Sequence, residues 1–164
     1  MKEKLHHYEE SILIPASPEK IFSYVDDHSR FSSHMGRSSW MMGGGSMKVT
    51  TDKSHGQKIG SHISLSGNAF GIPISLEEVV TRHDPPYAKT WETIGTPKLL
   101  IIGHYIMGVE IKPQGDQSSI RVFINYDLPT TNVWLGKLFS GFYAKWCVQQ
   151  MINGTRNEFA SHPK

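Results

Sequence analysis

Residues 130–158 constrain this chain more than any other stretch. Leu135, Leu138, Phe139, Phe142 and Trp146 recur at three- and four-residue steps. On a 3.6-residue helix they form one apolar, mostly aromatic stripe, with Lys137, Ser140, Gly141 and Ala144 opposite. Pro129 halts the extended run before the helix, and Thr131 or Asn132 is placed to cap its first free N–H groups. Asn153-Gly154 predicts a stop or a kink after Met151-Ile152. No other segment reads as a comparable helix, so the surface that receives the apolar stripe must be a sheet.

The rest of the chain supplies that sheet. Tyr8, Ile12 and Ile14 share one side of an opening strand over residues 8–14. Ser17 is then placed to cap a helix, Pro18 fits its first position, and Glu19 suits its positive end. This short helix runs to about Asp26 on an apolar face of Ile21, Phe22 and Val25, and Arg30, Phe31 and Met35 predict a second helical turn. The segments 46–51, 59–67, 72–82, 87–94, 99–112 and 119–128 are β-rich. Ser54-His55-Gly56, residues 68–71, Asp84-Pro85-Pro86, Gly95-Thr96-Pro97 and Pro113-Gln114-Gly115-Asp116 punctuate them as turns. Short polar turns between consecutive strands imply antiparallel hairpins and a curved meander.

Alternation assigns the faces. Ile120, Val122, Ile124, Tyr126 and Leu128 should point to the core, which leaves Phe123 as the apolar exception on the outer side. In the preceding strand Leu99, Ile101, Tyr105, Met107, Val109 and Ile111 share one face, with Leu100, Ile102, His104, Ile106 and Glu110 on the other. Both faces are apolar near the middle. One can meet the long helix and the other is expected to be covered by chain ends or by a second copy in a homodimer.

At 164 residues and 38% hydrophobic, the chain builds one core, so residues 1–164 are read as a single α+β domain. A net charge of +2 from 17 basic and 15 acidic residues, scattered without blocks, leaves no footprint for nucleic acid or an anionic membrane. The N-terminal residues have no apolar h-region and the longest aliphatic run is 99–102, so neither a secretory signal nor stable membrane insertion is expected, and the expected location is the cytoplasm. Cys147 has no partner for an internal disulfide and reads as a small buried or half-buried hydrophobe. Gly43-Gly44-Gly45 lacks phosphate-loop spacing and precedes a strand, so no helix N-terminus follows it. The nine histidines include no HExxH pair, and no GxSxG elbow is present. No metal, cofactor or nucleophilic residue is expected.

The entry Ile14-Pro15-Ala16-Ser17-Pro18-Glu19, the Phe22 and Val25 spacing after it, the run of antiparallel strands and the final helix together resemble the START-like, Bet v 1-like helix-grip superfamily (SRPBCC), in its polyketide cyclase/dehydrase branch. The resemblance covers nearly the whole chain. It implies a curved sheet of about seven strands gripping the C-terminal helix, two short helices after strand 1, and an elongated apolar cavity between sheet and helix. Members bind lipids, sterols, polyketides, quinones or hormones, and a minority are cyclases, aromatases or dehydratases.

The residues available to wall such a cavity are Trp40, Met47, Phe70, Trp91, Tyr105, Met107, Tyr126, Phe142 and Trp146. Ordinary core packing is the competing role for each of them. Tyr105 and Tyr126, on inner faces of adjacent strands, are the candidates to hold a ligand oxygen or donate a proton, while parity sends Glu92, His104, Arg121 and Asn125 outward. The Met-rich residues 35–47 read either as a lid over the cavity mouth or as a plain glycine-rich connection. Three functions follow: binding of a lipid, polyketide or quinone-like molecule; cyclase or dehydratase chemistry on the pocket tyrosines; or a protein-interaction module with Leu100, Ile102 and Ile106 as its footprint.

Overall fold

Ser17 has an extended backbone and its Oγ accepts the Lys20 N–H at 3.4 Å, which starts α1 (Pro18–Asp26) with Pro18 in its first turn. Asp27 ends α1, and its carboxylate accepts the Arg30 N–H at 3.3 Å to start α2 (His28–Phe31). These two caps set the short helical corner that follows β1 (His6–Ile14). The computed structural model describes residues 5–32, 44–99, 101–130 and 133–160.

Six further strands follow: β2 (Met47–Thr51), β3 (His62–Ala69), β4 (Ile72–Asp84), β5 (Ala88–Lys98), β6 (Tyr105–Gln114) and β7 (Gln117–Tyr126). All pair antiparallel in one seven-stranded sheet of order β1-β7-β6-β5-β4-β3-β2. Neighbours in the sheet are consecutive in the chain except β1, which pairs with the last strand and sets Ile12 opposite Ile120. The final helix, α3 (Val133–Ala160), packs on β1 and β7 and against α1 and α2. This is the expected fold class.

The inner face of β7 follows the alternation: Ile120, Val122, Ile124 and Tyr126 are all buried. Phe123, the outer-face exception, lies across Gly108, where an added Cβ would stand 2.5 Å from its ring, and the Arg121 guanidinium sits 4.7 Å above the same ring. A side chain at position 108 would displace that ring.

Three expectations change. The turn expected at Gly95-Thr96-Pro97 lies inside β5, because the register slips between Ser75↔Lys98 and Glu77↔Ile94 and Gly95 takes φ +68° in the bulge. The connection to β6 therefore falls after Lys98, where Ile102 is buried and Ile106 of β6 is half-buried, while Leu100 lies outside the described residues. Asn153-Gly154 does not stop α3, which continues to Ala160 with the Tyr24 hydroxyl 3.1 Å from where a Gly154 Cβ would be. Finally, α3 presents the other face to the sheet. Gly136, Ser140, Ala144, Cys147, Val148 and Met151 are buried, whereas Leu138 is 60% and Phe142 69% exposed and Phe139 also faces solvent.

Close backbone approach decides that face. A Cβ on Gly136 would stand 2.5 Å from Pro129 Cδ and 2.9 Å from the Ile101 carbonyl, so the gap between α3 and its neighbours admits only small side chains here. Phe142→Ser is expected to change stability by no more than about 0.5 kcal/mol, and Ala144→Leu to cost about 1–3 kcal/mol through overpacking. Urea unfolding of both variants checks this; the reverse order would restore the aromatic face as the buried one. The capping residues Thr131 and Asn132, Met35, Trp40 and most of the 35–47 segment lie outside the described residues.

Candidate functional site

A cavity lies between the sheet and α3. Its walls come from nearly every layer: Leu65 of β3, Leu76 and Glu78 of β4, Trp91 of β5, Leu99 and Ile102 of the connection, Tyr105 and Met107 of β6, Ile124 of β7, and Tyr143, Cys147 and Met151 of α3, with Ser32 at the end of α2. It is partly open and narrow, with a volume of about 30 Å³, room for roughly two water molecules. The position matches the expected cavity; the elongated volume does not. Met107, Met151, Leu65, Leu76 and Leu99 are unbranched or γ-branched side chains, the kind that re-pack to admit a larger guest.

Within these apolar walls stands one carboxyl group. Glu78 alternates inward with Ile74, Leu76 and Val80 along β4 and is only 2% exposed. The Tyr105 hydroxyl donates to its Oε2 in a short hydrogen bond. His28 Nε2 stands 3.6 Å from Oε1, and among the described residues neither Oε1 nor His28 Nδ1 has a hydrogen-bond partner. His28 is itself packed edge-on to Trp91, ring centroids 5.0 Å apart at 84°. Burial, reinforced by the Glu78 charge, raises the Tyr105 hydroxyl well above its usual range. Burial does the same to Tyr143, next to Cys147, and pushes the Cys147 thiol up to about 12. All three therefore keep their protons at neutral pH.

A second cluster fixes the α1 corner to the sheet. Lys89, fully buried on β5, holds Asp26 Oδ1 at 3.2 Å and donates to the Asp26 carbonyl at 3.3 Å. His83 Nε2 of β4 meets the same carboxylate at 2.9 Å. Burial lowers the Lys89 ammonium below its usual range, and Asp26 opposes that shift.

These shifts predict an alkaline weakness. In the unfolded chain the Cys147 thiol titrates near 9.0 and the Tyr105 and Tyr143 phenols near 10.0, whereas the folded state holds all three protons more tightly. Above those values the unfolded state binds fewer protons, so stability present below pH 9 falls as pH rises toward 12. Lys89 works the other way, since its unfolded form binds the proton more strongly up to 10.5. Tyr8, pushed up to about 12 by burial and its bond to Glu10, adds to the loss, so four groups stand against one and the urea midpoint should drop between about pH 9 and 11. A flat or rising midpoint there would contradict the burial of these groups.

Of the residues singled out in the sequence, Trp91, Tyr105 and Met107 line the cavity. Tyr126 is buried beside it but stacks on His6, centroids 5.3 Å apart, and does not line it. Trp146 is half-buried against Tyr143 at 6.0 Å and Met47 is core. Phe142, exposed on α3, and Phe70, 56% exposed at φ +53° in the β3–β4 turn, do not line the cavity. Trp40 lies outside the described residues. His104 is exposed, as parity requires, with Nδ1 3.0 Å from Thr93 Oγ1. Glu78, His28, Tyr143 and Met151 belong to the site without having been singled out. The alternation Ile74, Leu76, Glu78, Val80 carried the signal for Glu78. Among the described residues no cluster of histidine, cysteine or carboxylate side chains is arranged to hold a metal ion, and no helix is long and apolar enough to cross a membrane.

No curated protein sequence matches the chain. Among solved structures, truncated norcoclaurine synthase from Thalictrum flavum superposes with a TM-score of 0.68 at 14% identity, covering 99% of both chains. A Thermus thermophilus protein gives 0.66 at 14% identity, over 95% of this chain and 98% of that one. The di-domain ARO/CYC StfQ of the steffimycin biosynthetic pathway gives 0.69 at 8% identity, over 96% of this chain and 51% of that one. At such identities these likenesses establish the helix-grip fold. The profile for polyketide cyclase/dehydrase and lipid transport proteins matches residues 6–157, and the chain belongs to that family.

Proposed function

We propose that this protein binds a small apolar or amphipathic molecule, of lipid, polyketide or quinone-like class, in the cavity between the sheet and α3. The observation that carries the reading is the wall composition: apolar side chains from β3 to β7 and α3 converge on one buried carboxyl–phenol pair, Glu78 and Tyr105. Supporting it, the family description includes lipid transport, and the norcoclaurine synthase fold has been captured with dopamine and hydroxybenzaldehyde. The narrow volume makes binding an opening event, in which the Met and Leu side chains of the wall move aside.

The test is fluorescence titration with N-phenyl-1-naphthylamine. Saturable binding at about one per chain is expected, with loss in Leu76→Trp, which fills the cavity, provided circular dichroism shows that variant folded. Absence of saturable binding, or binding unaffected by the filled cavity, would remove the reading.

The Glu78–Tyr105 pair favours a second reading, an acid–base enzyme of cyclase or dehydratase type. A hydroxyl that keeps its proton beside a carboxyl group, both facing an apolar pocket, is the arrangement general acid–base catalysis uses. Turnover of a polyketide-like substrate that Tyr105→Phe abolishes without loosening binding would establish it; turnover unchanged in that variant would dismiss it.

A further inference from the structure

We propose that the cavity reads a hydrogen-bond donor through Glu78 Oε1, so that its ligand is an apolar molecule bearing a hydroxyl, phenol or amine rather than a carboxylic acid, an assignment that rests on the cavity being the binding site. Glu78 is the one carboxyl group among the lining residues, and it is almost wholly buried. Its two oxygens are not equivalent. Oε2 accepts from the Tyr105 hydroxyl, whereas Oε1 has no hydrogen-bond partner among the described residues. The nearest cationic candidate, His28 Nε2 at 3.6 Å, is beyond hydrogen-bond range, and Lys89, which acts on Glu78 only through its charge, makes its contact with Asp26.

An acceptor held this way costs free energy until a donor reaches it. A guest carrying O–H or N–H satisfies it. An ether or ketone brings lone pairs to lone pairs, and a carboxylate has no proton to donate and must shed its hydration to enter apolar walls. The remaining polar lining groups do not reverse that preference: Tyr143 and Cys147 are neutral and paired with each other, and Ser32 is uncharged. Pockets with a buried polar group discriminate strongly against analogues that lack its partner.

The experiment is displacement of N-phenyl-1-naphthylamine at pH 7.5 by 4-butylphenol, 4-butylanisole and 4-butylbenzoate, in the wild-type protein and in folded Glu78→Gln and Tyr105→Phe variants. The phenol should bind roughly tenfold more tightly than the anisole, the expected effect of satisfying one buried acceptor that otherwise has no hydrogen bond, and the benzoate should not compete. In Glu78→Gln the phenol preference should shrink to about twofold or less, with anisole affinity unchanged. Tyr105→Phe, which leaves both Glu78 oxygens free, should keep the preference. Equal binding of phenol and anisole, or effective competition by the benzoate, would overturn the donor reading and leave the cavity standing. Loss of the preference in Tyr105→Phe but not in Glu78→Gln would overturn it in favour of the tyrosine hydroxyl. No binding of any probe would overturn the cavity reading with it.

Discussion

Asp26→Ala is expected to destabilise the protein by about 3–5 kcal/mol, the usual cost of breaking one side of a buried ion pair. Lys89 is the reason. Its ammonium is fully buried and its ionic contact is the Asp26 carboxylate at 3.2 Å, so truncating Asp26 leaves a desolvated charge with only the more distant Glu78 and Asp27 to offset it. His83 loses its contact at 2.9 Å in the same step. The double variant Asp26→Ala, Lys89→Met should recover a large part of the loss, because an apolar side chain of similar length no longer needs the carboxylate. Urea unfolding checks both. A loss below about 1 kcal/mol for the single variant, or no recovery in the double, would mean that Lys89 reaches water.

Trp91→Ala is the second large effect, with an expected loss of about 3–5 kcal/mol. The indole is 1% exposed and forms the floor on which His28 and Phe31 pack edge-on, at 5.0 and 6.1 Å between ring centroids. Removing it joins a large void to an existing cavity and loosens the His28 ring beside Glu78. Trp91→Phe should cost much less, since most of the packing volume stays. A loss under about 1.5 kcal/mol for the alanine variant would show that α2 collapses into the gap.

The strands and their inner faces were legible because alternation records burial directly: Ile120, Val122, Ile124 and Tyr126 could point only one way if one face was to be dry. The cap at Ser17 was legible for a similarly local reason. The face of α3 was not. A helical wheel ranks side chains by hydrophobicity, but close approach to Pro129 and the Ile101 carbonyl selects Gly136, and the small residues Ser140 and Ala144 are buried on the same helix. Gly95 misled in another way, since a positive φ serves a bulge as well as a turn.

Within the site, Trp91, Tyr105 and Met107 came from strand parity and hold their places in the wall. Phe142 failed with the helix face, and Phe70 because an aromatic beside Gly71 belongs to a tight turn rather than to the strand interior. Glu78 obeyed the same alternation as its neighbours, yet a carboxyl group interrupts an apolar pattern and reads as surface until its partner is known. That partner, Tyr105, is 27 residues away in sequence and two strands away in the sheet. The cavity volume is set by small displacements of many side chains, which no pattern of residue types encodes.

The most direct test is native mass spectrometry of protein purified without detergent, followed by denaturation and mass analysis of what is released. One non-covalently held apolar molecule per chain is expected in the wild-type protein, or one added 4-butylphenol where the purified protein arrives empty, and neither in folded Leu76→Trp. Equal occupancy in both proteins, or none in either under conditions that preserve a known lipid-carrier complex, would contradict it.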